Sequence, residues 1–165
     1  MKLGRSLRHL FMLPHAAQRA FTPEVMQAIG AAIHAGEARH LGEIRFAVEA
    51  AMPWSYLRRN APTRQRAVMA FGKLGVWDTE HNSGVLIYLN LADRDVEIVA
   101  DRGVAHRVGA ARWEQICKTM EAEFRARRWR DGALQGIALV HDALAEVLPA
   151  QGARENEVPD RPVIL

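Results

Sequence analysis

Hydrophobic positions change period along the chain, and each change marks an element. From Thr22 to Gly36, Val25, Ile29 and Ile33 recur every four residues with Met26 beside them, the spacing of one helical face. Thr22-Pro23 supplies an N-cap and a proline at the first helical position, and Gly36 is expected to close the helix. Strict alternation follows: Ile44, Phe46 and Val48 on one side, Glu43, Arg45 and Glu49 on the other. This predicts a half-buried strand over 43–49, ended by Pro53. A second helix is expected over 60–73, with Ala67, Val68, Phe71 and Leu74 inward and Gly75 as its stop. The run Gly84–Leu91 is continuously apolar, as a central strand covered on both faces should be. A tight turn at Ala92–Asp95 returns it as the alternating strand Asp95–Val99, so residues 84–100 form a hairpin. Two more helices are expected, one striped by Trp113, Ile116, Cys117, Met120 and Phe124. The other is capped by Asp131 and carries Leu134, Ile137, Val140, Leu144, Val147 and Leu148. The polar, proline-containing stretch 150–165 is expected to pack loosely over the surface.

Strands interleaved with helices imply an α/β fold: a three-layer α/β/α sandwich around a small mixed sheet that contains the 84–100 hairpin. Three regions are assigned: an N-terminal amphipathic helical segment (1–21), the folded domain (22–149) and a C-terminal tail (150–165). At 165 residues and 49% hydrophobic, the chain can bury one real core. The net charge of +3 comes almost entirely from arginine, which suits phosphate and carboxylate partners but also follows from a GC-rich coding sequence. The single Cys117 excludes an intrachain disulfide framework and lies on an apolar stripe, where it is expected to be buried and inert.

No apolar run reaches the roughly 20 residues of a spanning helix. The N-terminus resembles a signal peptide only weakly, because Arg8 and His9 interrupt its apolar stretch, and the protein is read as cytoplasmic. Residues 2–13 can form a short amphipathic helix with Leu3, Leu7, Leu10 and Phe11 on one face. Docking on the domain is the favoured reading, and peripheral membrane contact is the alternative.

Topology concentrates the candidate chemistry. Strand 43–49 reaches strand 85–91 through a helix, a connection that normally joins parallel strands. Both then start at one sheet edge, where the antiparallel third strand ends. Glu43, Asp78, Glu80, Asn82, Ser83, Asp101 and Arg102 should therefore gather there, while Glu49 and the Asp93–Asp95 turn lie at the opposite edge. Carboxylates with amide and hydroxyl oxygens suit Ca²⁺ or Mg²⁺. The expected ligands are Asp78, Asp101, Glu43 and Asn82, with Arg102 and Ser83 for a phosphate or other anion. Solvated loop acids and ordinary turn formers are the plainer reading of the same residues.

Other constellations carry less. His81 is a loop histidine, and His141 lies beside a core face as a structural one. Ser55 and Ser83 lack a nucleophile-elbow motif, Gly72–Gly75 lacks the P-loop pattern, and no organic cofactor is expected. The basic run Arg125–Arg130 follows a helix end, where cations complement the macrodipole, so nucleic acid is not an expected partner.

The segment NSGVLIYLNLADRDVEIVADRGV, with Trp77–Gly84 leading into it, resembles the core signature of the TPM domain. That family includes a thylakoid-lumen phosphatase, a photosystem II repair factor and a nematode receptor modulator. The tail NEVPDRPVIL is similar to that of a short bacterial branch, and the resemblance spans roughly Thr22 to Leu148. Asn82-Ser83 stands where the family usually has Asp-Asn, and Asp101-Arg102-Gly103 where Gly-x-Gly is commoner. The resemblance implies an α/β/α sandwich, divalent-cation binding at an acidic pocket and, in the plant member, acid phosphatase activity. The expected function is a divalent-cation-binding interaction module that supports assembly or maintenance of another complex, with another protein or complex as partner. The rival is a metal-dependent phosphatase acting on phosphomonoesters, with Asp78 and Asp101 on the metal and Arg102 on the phosphate.

Overall fold

A computed structural model describes residues 3–13, 15–152 and 156–165. In chain order the elements are α1 (Leu3–Leu10), α2 (Ala16–Ala20), α3 (Pro23–Glu37), β1 (Glu43–Glu49), α4 (Trp54–Arg58), α5 (Thr63–Lys73), β2 (Gly84–Asn90), β3 (Asp95–Ala100), α6 (Arg102–Val108), α7 (Ala110–Arg125), α8 (Trp129–Val147) and β4 (Val163–Ile164). The sheet order is β3-β2-β1-β4, with β1 parallel to β2 and β4, and β2 antiparallel to β3. One face of the sheet, with Ile44, Phe46, Ile87, Leu89, Val96 and Ile98, packs against α3, α7 and α8. The other face, with Ala47, Leu86, Tyr88 and Val99, packs against Ala67 and Ala70 of α5. The three layers and the mixed sheet are those the sequence predicts.

The local signals explain most boundaries. Thr22 Oγ1 accepts from Val25 N–H as the N-cap of α3, with Pro23 behind it. Gly75 leaves α5 with φ +68, the left-handed conformation that favours glycine. The helix expected over 60–73 starts at Thr63, after Pro62, and a short helix that the sequence reading lacks, α4, precedes it, with Asn60 (φ 50) breaking the path between the two. Val68, expected inward, is exposed. Asp131 lies in the first turn of α8, which starts at Trp129, so it does not serve as the cap.

Three differences have consequences. Strand β1 is not half-buried. Its polar side is covered too, because Glu49 meets Arg66 of α5 and Glu43 meets the C-terminal segment. Residues 156–165 do not lie loosely: Val158 and Pro162 are buried, and β4 pairs with β1 at Ala47↔Val163 and Val48↔Ile164. Helix α1 docks, but by its polar side. Ser6 and His9 are buried and Arg5 is half-buried, whereas Leu7, Leu10 and Phe11 face out. Lys2 and the Leu3 side chain lie outside what the structure describes.

The free edge of β3 is closed by side chains, which keeps it from pairing with another chain. Glu121 Oε1 accepts from Val96 N–H (3.3 Å), and an Arg64 N–H donates to the Ile98 carbonyl.

On the far side of the core, His141 is the buried structural histidine its position predicts. Gly42 N–H donates to His40 Nδ1 (3.1 Å), so His40 Nε2 carries the hydrogen it directs to His141 Nδ1 (2.7 Å). His141 Nε2–H is thereby left to donate to the Ala32 carbonyl (3.1 Å). This relay requires both rings neutral, since a proton on His141 Nδ1 would face the hydrogen on His40. Burial, the main cause, holds His141 below its ordinary value of 6.5. Its contribution to stability is therefore complete above about pH 6.5 and declines as the pH falls, because the unfolded chain takes up the proton first. A His141→Gln variant should be less stable than wild type in urea at neutral pH, and that gap should narrow toward pH 5. A constant gap would contradict the neutral relay.

Candidate functional site

The edge where β1 and β2 begin does collect the predicted loops. Glu43 N–H donates to the Ser83 carbonyl (3.2 Å), Asp101 N–H to Gly84 (2.8 Å) and Gly103 N–H to Asn82 (3.0 Å). The side chains, however, serve the backbone around them. Asp101 caps α6, accepting from Arg102 N–H at 2.6 Å, and Glu43 Oε2 accepts from Val158 N–H at 3.3 Å. Ser83 is buried and donates to the Leu41 carbonyl (2.8 Å). Asp78, Glu80, His81, Asn82 and Arg102 are exposed. Helix α6, absent from the sequence reading, is what fixes Asp101 as a cap.

The opposite edge is more highly organised. The hairpin turn presents Asp93, whose N–H is held by Asn90 Oδ1 (3.0 Å), with Arg94 at φ +54 beside it. Arg5 of α1 grips the Asp93 carboxylate with Nε and Nη2 (2.9 and 2.7 Å to Oδ2), and its Nη1 reaches the Ala61 carbonyl (2.7 Å). Met52 N–H donates to His9 Nδ1 (3.0 Å), so His9 Nε2 carries its hydrogen and faces Asp93 Oδ1 at 3.1 Å. Burial pushes the Asp93 carboxyl up, but the hydrogen bonds from Arg5 and His9 outweigh it and hold the group below its ordinary value. Asp93 is thus a committed carboxylate that pins α1 to the turn.

Next to this pin lies a polar groove of about 900 Å³, lined by Arg8, Thr63, Asp95, Glu97, Glu121 and Arg125 among others. Period-two spacing sets Asp95 and Glu97 on the α5 side of β3, while Glu121 comes across the strand edge from α7. Asp95 is held above its ordinary value by burial first, against an opposing hydrogen bond from Thr63, and then by the neighbouring charge and carboxyl contact of Glu121, with Asp93 adding to it. Burial also raises Glu97, helped by Asp95 and Glu121, although Arg64 opposes the shift at 3.3 Å. Arg125 reaches Glu121 Oε2 at 2.6 Å. The same carboxylates, after burial itself, push the Cys117 thiol up to about 12, which keeps it protonated, although Cys117 is half-buried where burial was expected.

Among the described residues, no three His, Cys, Asp or Glu side chains converge as a metal cage. The donor set of the groove is the pair Asp95–Glu121, which fits an ion that keeps much of its own water. The sequence marks Asp95–Val99 only as an alternating strand, assigns no partner to Asp95 or Glu97, and does not single out Glu121. The available signal was Glu121 four residues after Cys117, which places it on the flank of the stripe by which α7 meets the sheet.

A family model of the TPM domain matches residues 16–143. Among solved structures, the NMR structure of BA42 protein from the psychrophilic bacterium Bizionia argentinensis is similar. It shows 26% sequence identity and a TM-score of 0.74, covering 87% of this chain and 94% of that one. No curated protein matches.

Proposed function

The chain belongs to the TPM domain family, and from that membership we propose that it is a divalent-cation-dependent binding module. In this reading Asp95 and Glu121 hold hydrated Mg²⁺ or Ca²⁺, and Arg125 and Arg8, which otherwise pair with Glu121 (2.6 Å) and Asp93 (3.6 Å), turn to an anionic group of the partner. The observation that carries the reading is the paired carboxyls. Asp95 and Glu121 are held together in the groove, where Arg125 (2.6 Å from Glu121) balances one of the two negative charges and a bound cation would balance the other. Mg²⁺ is commonly bound by one or two carboxylates with its remaining positions filled by water, and the pair offers that donor set. The arginines match carboxylate or phosphate groups, so a cation-bridged anionic contact is the chemistry available.

Phosphomonoester hydrolysis is the second reading, favoured by arginine beside the carboxylates. It ranks below binding because the hydroxyl in the groove, Thr63, is shared between Asp93 (3.4 Å), a carboxylate already gripped by Arg5, and Asp95, so it is not set apart as a nucleophile.

Thermal melting with and without Mg²⁺ or Ca²⁺ tests the proposal. A hundredfold excess over the dissociation constant should raise the midpoint by about 5 °C or more. Asp95→Asn/Glu121→Gln should abolish that shift, while its cation-free midpoint should exceed that of wild type because the like-charge contact is gone. A shift that survives this double change but disappears in Asp78→Asn/Asp101→Asn would move the ion to the other sheet edge. Wild type with no shift would sink cation binding altogether. Turnover of an aryl phosphate, lost in Asp95→Asn/Glu121→Gln, would promote the hydrolase reading.

A further inference from the structure

We infer that α1 and α4 form a docking surface for an anionic phospholipid bilayer. An amphipathic helix on a soluble domain normally turns its apolar side to the core. Helix α1 does the reverse: Arg5, Ser6 and His9 point inward to Asp93, Ala61 and Met52, so the apolar side is left outside. Leu10 is 70% exposed, Phe11 75% and Leu13 58%, and Leu7 is also exposed. The arrangement is fixed by the buried Arg5–Asp93 pair, so rotating the helix to hide these residues would strip a charge of its partner.

Helix α4 adjoins this segment through the Met52–His9 hydrogen bond and brings a further exposed aromatic, Trp54, with Arg58 and Arg59. Charge identifies the occupant. Neither residues 1–23 nor residues 50–77 contain a single Asp or Glu, while Arg8, Arg19, Arg58 and Arg59 are exposed. The Asp93 carboxylate that meets α1 is taken up at short range by Arg5 and His9, and the exposed Arg8 reaches it only at 3.6 Å. A second copy of this chain would set arginine against arginine. A bilayer surface offers an apolar layer at the depth of Leu10 and Phe11 and anionic headgroups at the level of the arginines. Among the described residues no helix is long and apolar enough to cross a membrane, so the contact is peripheral.

The full chain should co-sediment with vesicles of phosphatidylcholine containing about one-third phosphatidylglycerol, weakly with phosphatidylcholine alone, and less as salt is raised. EDTA in every sample keeps the cation reading of the groove out of the result. Leu10→Ser/Phe11→Ser should lower vesicle affinity at least about tenfold while leaving the thermal midpoint unchanged, because both side chains are exposed. Wild type remaining in the supernatant with anionic vesicles overturns the inference, as does binding that survives the substitution. Concentration-dependent dimerisation lost in the same variant would also overturn it, by identifying a second copy as the occupant.

Discussion

Gly84→Ala is expected to lower the stability of the fold by more than about 3 kcal/mol. Gly84 opens β2, and a Cβ placed there would lie 1.8 Å from the Val76 carbonyl oxygen and 2.9 Å from its carbon. Both are backbone atoms, so no side-chain rotation relieves the contact. Val76 cannot retreat cheaply either: its N–H is bonded to the Phe71 carbonyl, and its side chain is buried against the α5 face of the sheet. Moving Gly84 instead would break its carbonyl's bond from Asp101 N–H and shift the first register pair, Glu43↔Gly84. Overpacking of this kind costs typically 1–3 kcal/mol where side chains can adjust, so a backbone collision should cost more than about 3 kcal/mol. That is a large part of the roughly 5–15 kcal/mol that holds a domain together. Urea denaturation followed by circular dichroism reads the loss. Gly72→Ala is the control: nothing lies within 4 Å of its Cβ, and it sits inside α5, so it should stabilise by about 0.5–1 kcal/mol. Equal midpoints for the two variants would show that the 75–83 loop does not press on β2 as described.

Arg66→Met should cost about 3–5 kcal/mol, the usual result of leaving one member of a buried ion pair alone. Glu49, at the end of β1, is 5% exposed and Arg66 15% exposed at the side chain, and the guanidinium engages the carboxylate through Nε (2.9 Å) and Nη2 (2.5 Å). The Glu49 hydrogen bond outweighs burial and holds the Arg66 proton more tightly than in water. Tyr88, raised by burial and then by the Glu49 charge, remains protonated and donates its hydroxyl to Glu49. Removing Arg66 leaves the carboxylate with the tyrosine as its remaining strong partner in a dry layer. Glu49→Gln/Arg66→Met should recover much of the loss, because no buried charge then remains. A double variant no more stable than the single one would mean that the pair is not coupled.

These two sites show where sequence reading reached and where it stopped. The alternation Glu43–Glu49 does mark a strand, but alternation alone does not say what covers its polar side. Arg66 and the 156–165 segment decide that, and both are remote in sequence. The loop gathering at Glu43, Ser83 and Asp101 was legible because parallel crossover geometry is nearly obligatory. The use of those side chains was not, since a carboxylate beside a helix start serves as a cap or a ligand according to what lies within 3 Å. The acidic groove was least legible of all: alternation places Asp95 and Glu97 on one side of β3, and nothing in it brings Glu121 across the strand edge from α7.

Period, turn residues and the crossover rule were enough to establish the hairpin, the parallel β1–β2 pair, the three layers and the α3 cap, because each rests on contacts between near neighbours or on chain handedness. Which face of α1 meets the domain, whether the C-terminal segment joins the sheet, and which carboxylates stand together were decided only by tertiary structure. In each case the deciding partner, Asp93 for Arg5, β1 for Val163 and Ile164, and Glu121 for Asp95, lies more than twenty residues away. A one-dimensional pattern does not contain those distances, and the balance of burial against pairing at each position depends on them.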